Sequence, residues 1–253
     1  ILPLAISTIV TAGPLASHAP AQQAAASIDP ERAEAYFREV QQLCEREGGR
    51  LWGVSLCGPI VFADAATRSI ATNQPAPDAP RPVMLGYANT ALDWGGTRWT
   101  TVVWRMIPEN DSIARRRLIV HELFHRIQPQ LGLFLNEPNN DHLETLAGRY
   151  WMQLEWRALA AALGATGDAR RTAIADALAF RFARHGHFEA AAENERVLEI
   201  NEGLAQYTGT VVSTPSPSAA AASTIAQLRS AAREQTFVRM FAYATGAAYG
   251  ILL

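Results

Sequence analysis

Asp111-Ser112-Ile113-Ala114-Arg115-Arg116-Arg117-Leu118-Ile119-Val120-His121-Glu122-Leu123-Phe124-His125-Arg126-Ile127-Gln128 is the stretch that decides how this chain is read. Asp111 can cap a helix by accepting from its first free N–H groups, and Pro129 stops one. Between them Ile113, Leu118, Ile119, Val120, Leu123, Phe124 and Ile127 lie nearly all round the helix, so the spacing predicts a buried element. His121 and His125 stand four residues apart on one face. Two imidazoles so placed reach one tetrahedral zinc at ~2.0–2.1 Å, and Glu122 beside the first points at the metal's open position. The bland alternative is two histidines lining a core beside a chance glutamate, a pattern that arises in about one chain of this length in a hundred.

The segment before this helix reads as sheet. Leu51 to Phe62, Ser69 to Asn73, Val83 to Ala88 and Thr97 to Ile107 carry β-branched and aromatic residues between turn signals, which predicts four strands of one sheet. The four prolines at 75, 77, 80 and 82 cannot donate to a ladder and mark an exposed loop. Asp29-Pro30-Glu31 opens a helix that runs to Glu47. After Pro129 the pattern is helical: 141 to 163, 168 to 184, 188 to about 211 and 218 to about 244, with Ser213-Thr214-Pro215-Ser216-Pro217 between the last two. The expected class is α+β, with a mainly antiparallel sheet and the active-site helix over 29–128 and a helical part over 129–253.

Composition narrows the function. The 253 residues are 49% hydrophobic and 18% charged, which excludes disorder and small disulfide scaffolds. All 22 basic residues are Arg, and a net charge of -2 offers no basic field for nucleic acid. Ile1 to Ala16 is apolar and is followed by Ala19-Pro20-Ala21, so residues 1–21 are expected to be the remnant of a signal peptide. That places the protein in the periplasm or outside the cell, with no stable membrane insertion. Cys44 and Cys57 form one disulfide in such a compartment and two unrelated thiols in a cytosol.

A zinc site needs a third protein ligand, and no third His follows in a Gly-containing extension of the motif. Two carboxylates remain, Glu144 and Glu202. Glu144 follows His125 at a distance that lets a helix return antiparallel, whereas Glu202 requires the intervening helices to be an insertion. His121-Glu122-Leu123-Phe124-His125 with Asn201-Glu202-Gly203-Leu204-Ala205-Gln206-Tyr207 resembles the gluzincins, zinc metallopeptidases in which a second helix with an NEGxAxY-like segment supplies the third ligand. The resemblance covers about a third of the chain, from the last strand to Gly209. It implies a zincin-like fold, with His121, His125 and Glu202 as zinc ligands and Glu122 as the base. The spacing departs from the aminopeptidase-like pattern, which would favour Glu144. Ala205 and Gly209, one and two turns after Glu202, are small enough for this helix to press on the HExxH helix. Gln206 is expected to hold a ligand imidazole from behind. Taken alone, Glu195, Glu199, Glu202 and Gln206 also fit one solvated helix face.

The implied activity is hydrolysis of a peptide or protein substrate by metal-activated water. The gluzincin pattern also assigns Thr97 to Ile107 as the edge strand that pairs with substrate. Tyr150, Tyr207, Tyr243, Tyr249, His185 and His187 are candidate oxyanion donors that sequence does not separate. His142 and the Arg115-Arg116-Arg117 run are further polar groups near the motif, the latter expected on carboxylates or solvent. The competing class is a non-catalytic binding or structural module of the same architecture.

Overall fold

The computed structural model describes residues 27–133 and 136–253. The expected export segment lies outside them. Asp29 accepts from the N–H groups of Glu31 and Arg32 and starts α1 (Pro30–Glu47), whose buried stripe runs through Tyr36, Phe37, Val40 and Leu43. Cys44, at the end of that stripe, is bridged to Cys57.

Four strands follow: β1 (Ile60–Asp64), β2 (Ser69–Thr72), β3 (Thr90–Trp94) and β4 (Thr97–Val103), in the order β2-β1-β4-β3. β1 pairs antiparallel with β2 and parallel with β4, and β3 pairs antiparallel with β4, so the sheet is mixed. Its side chains sort with period two. Ile60, Phe62 and Val102 face α1, while Val61, Ala63 and Trp99 pack with Leu85 and Trp94 on the opposite face.

The expected strands need two corrections. Leu51 to Pro59 is loop and turn, because the carbonyls of Ser55, Leu56 and Cys57 are taken by the Arg126 guanidinium rather than by a ladder. Val83 to Ala88 is a succession of turns, closed by Leu85 N donating to Pro82 O and Tyr87 N to Met84 O. The third strand lies after it, at Thr90–Trp94, and turns into β4 through Gly95-Gly96, both at positive φ as a tight hairpin requires.

The helical part begins with α2 (Ser112–Ile127), capped by Asp111 accepting from Ala114 N. Glu144 ends a 3-10 turn at 141–144, and α3 (Leu146–Gly164), α4 (Gly167–His187) and α5 (Ala191–Leu198) follow. One π turn, Glu199–Gly203, joins α5 to α6 (Leu204–Ser213), so the single helix expected from 188 is widened in its middle. The helix expected over 218–244 is two, α7 (Pro217–Ala231) and α8 (Met240–Leu252). The break is stitched to α3. Arg149 donates to the carbonyls of Glu234 and Gln235, and Phe237 buries its ring 4.7 Å from Trp156. Trp156, Leu159, Leu228, Phe237 and Phe241 centre the second core, and no helix among the described residues is long and apolar enough to cross a membrane.

Candidate metal centre

α2 lies between the sheet and α6. Ile119 and Leu123 point into the sheet core, whereas Val120, Phe124 and Ile127 pack with Ala205 of α6. At Gly209, a Cβ would stand 2.7 Å from the Arg117 carbonyl oxygen, so glycine is what allows the two helices this approach. Just before α6, the π turn meets α8 glycine to glycine: a Cβ on Gly246 would fall 2.2 Å from the Gly203 Cα. The expectation that small residues seat this helix against α2 holds. The π turn adds a residue to the helix at this point, which rotates α6 by about 100° relative to α5. Glu195 and Glu199 therefore face α4, where they meet Arg184 and Arg181, and Glu202 faces α2. Glu195 is fully buried and Glu202 is buried too, which rules out the solvated-face alternative.

His121, His125 and Glu202 form the one group among the described residues whose ligand atoms converge as a metal site requires. His121 Nε2 lies 3.2 Å from Glu202 Oε2 and 3.1 Å from His125 Nε2, and His125 Nε2 lies 3.6 Å from the same oxygen. A tetrahedron with bonds of 2.0–2.1 Å has edges of about 3.3–3.4 Å. A circle through the three atoms has a radius of about 1.9 Å, slightly less than such a bond, so one ion can reach all three. Two imidazole nitrogens and a carboxylate oxygen are also a donor set that suits zinc. This buried group could hold a metal ion.

The ionisable groups of the site shift one another's protonation. Burial alone would raise the Glu202 carboxyl, but hydrogen bonds from His121 and His125 hold it well below the usual carboxylate range. His125 loses basicity by burial and regains more from Glu202 and Glu122, for a net rise. Burial pushes the Glu122 carboxyl up against the two neighbouring imidazoles, and its Oε2 is buried without a hydrogen-bond partner. A cleft of about 340 Å³ opens beside His121 and Glu122, with Asn89, Met106, Arg117 and Tyr243 on its walls.

Glu144, the other carboxylate expected as a ligand, is away from the centre: its Oε1 accepts from Thr236 Oγ1 and Phe237 N, tying down the break before α8. It is not in the converging group, because sequence distance to His125 does not bring its short helical turn over α2. Gln206 also lines the cleft, but its Nε2 donates to Gln227 and not to an imidazole. The residue that holds the His125 ring is Gln128, with Oε1 2.8 Å from His125 Nδ1. Its position three after His125 is a helical spacing that sequence reading could have used.

Among the candidate donors, Tyr243 alone stands at the centre, stacked on His121 with centroids 5.5 Å apart. Tyr249 donates to Glu155, Tyr207 packs against Trp52, and Tyr150 is exposed. His142 and His185 both bond Glu195, and His187 stacks on Trp151. Arg115 and Arg116 share Glu39, and Arg117 donates to Ser223. Arg239, which no local pattern marks, donates to Glu202 Oε1 at 2.7 Å. The expected substrate-pairing strand needs correction: β4 is flanked by β1 and β3, so both its edges are taken, and the outer strands are β2 and β3. Comparison with known protein families, curated proteins and solved structures finds no match to this chain.

Proposed function

We propose that the protein is a zinc-dependent hydrolase of peptide bonds, built on a zincin-like domain of the gluzincin type. The observation that carries this reading is the buried His121, His125, Glu202 triangle with the Glu122 carboxylate beside it at the cleft. A zinc ion held by those three would lower the pKa of water towards ~7 and polarise a scissile carbonyl. Glu122 is the general base. Its carboxylate takes the proton of the attacking water and delivers it to the leaving amine, and the upward push from burial makes it a stronger base for the first half of that task.

Tyr243 is the donor nearest the centre. Burial and the Glu202 carboxylate raise its phenol, so it keeps the proton it would donate to a developing oxyanion. Among the described residues β3 is paired on one side only, by β4, and Asn89 just before it lines the cleft. An extended peptide laid along the β3 edge would bond backbone to backbone and run towards Glu122. The Cys44–Cys57 bridge supports an oxidising location, periplasmic or secreted. The test compares zinc content and turnover of a mixed peptide library. Glu122→Gln keeps zinc and loses turnover, and His121→Ala loses both. Full turnover in the Gln variant removes Glu122 from the mechanism, and zinc without turnover in the parent protein points to a non-catalytic module.

A further inference from the structure

Glu202 uses its two oxygens differently. Oε2 faces the two imidazoles, while Oε1 accepts from Arg239 Nη2 at 2.7 Å. Arg239 precedes α8, and its Nη1 lies 2.6 Å from Glu137 Oε1. The side chain is 44% exposed, that of Glu202 5% and that of Glu137 61%, so the guanidinium spans from a surface loop to the inner carboxylate.

A carboxylate can offer a metal one oxygen or both, and a hydrolytic site must keep its fourth position open. A charge-assisted bond from a guanidinium is among the strongest competitors for a carboxylate oxygen. Oε1 cannot turn to an ion beside Oε2 without giving up that bond. The Tyr243 phenol also neighbours Glu202 but is a single neutral donor. We propose that Arg239 is a positioning residue that, by occupying Oε1, restricts Glu202 to one-oxygen ligation and so holds the centre at four ligands, three protein atoms and one water. This rests on the metal reading of the site and adds to it control of coordination number.

Cobalt(II) is the probe, because its visible absorption is intense with four ligands and weak with five. The parent chain loaded with cobalt(II) shows the intense spectrum. Arg239→Ala frees Oε1, and its visible intensity falls by about half or more as coordination expands from four to five. Arg239→Lys keeps a cation at Oε1 and retains the parent intensity, as does Glu137→Gln, which leaves the Nη2 bond in place. An Ala variant with the parent spectrum, or a Lys variant as weak as Ala, overturns the inference alone. A parent protein that binds no cobalt overturns the metal reading and this inference with it.

Discussion

Gly209→Val tests whether the approach of α6 to α2 builds the centre. The first carbon of the new side chain would sit 2.7 Å from the Arg117 carbonyl oxygen, 3.2 Å from the Arg117 Cγ and 3.4 Å from the His121 backbone nitrogen. The nearest of these is backbone of a buried helix and cannot swing away. Overpacking of this kind costs about 3 kcal/mol, against a few tenths returned by valine's better helix propensity. For a chain of this length that lowers the melting temperature by about 6–12 °C. Relief comes from α6 backing off. If Glu202 moves with it by ~0.5 Å, the circle through the three ligand atoms widens from about 1.9 to about 2.1 Å, the limit of a zinc bond. Metal affinity should then fall about tenfold, as when a ligand's support is lost. Gly186→Val is the matched control, since nothing lies within 4 Å of a Cβ there and α4 is exposed at that point. Thermal melts and zinc titration of both variants read the two effects. A Gly209→Val protein that melts and binds zinc like the Gly186→Val control would refute the argument.

Three further outcomes are expected. Arg184 is fully buried, with Nη1 2.7 Å from Glu155 Oε2 and Nη2 2.6 Å from Glu195 Oε2, so Arg184→Met removes the cation between two buried carboxylates, leaving Glu155 to Arg181 and Tyr249 and Glu195 to His142 and His185, and should cost about 3 kcal/mol in urea unfolding; a loss under about 1 kcal/mol would show that water reaches this network. Burial pushes the Glu195 carboxyl up, but hydrogen bonds from Arg184, His142 and His185 hold it far below its ordinary 4.5. A depressed carboxyl stabilises the fold above its unfolded value and loses that contribution as pH falls below it. The urea midpoint should therefore drop steeply under about pH 4.5, and more shallowly in Glu195→Gln; parallel acid limbs would contradict the assignment. Replacing Cys44 and Cys57 together by Ser opens a loop of 13 residues and should cost about 3 kcal/mol, read as a lower urea midpoint with an unchanged circular dichroism spectrum.

What sequence made legible was what local spacing controls. The helix bearing His121 and His125, its Asp111 cap and the N-terminal helix are set by side chains within a few residues, and they lie where the pattern puts them. Strand identity depended on partners instead. Val83 to Ala88 has strand composition, yet turns closed at Pro82 and Met84 claim it, while Thr90–Trp94 is recruited by pairing with β4. The choice between Glu202 and Glu144 is likewise made by packing. The glycine contacts at 203, 209 and 246 and the π turn aim Glu202 at α2, and Glu144 is used up on the break before α8. The regular helical offset of Gln206 from Glu202 takes no account of its partner on α7, and Arg239 carries no local signal because it reaches Glu202 from 37 residues away.

The most direct measurement is metal content after purification, with Glu202→Ala and Glu144→Ala prepared side by side with the parent protein. About one zinc per chain is expected in the parent and in Glu144→Ala, and little in Glu202→Ala. A parent protein without metal, or a Glu202→Ala protein as full as the parent, would contradict a centre built from His121, His125 and Glu202.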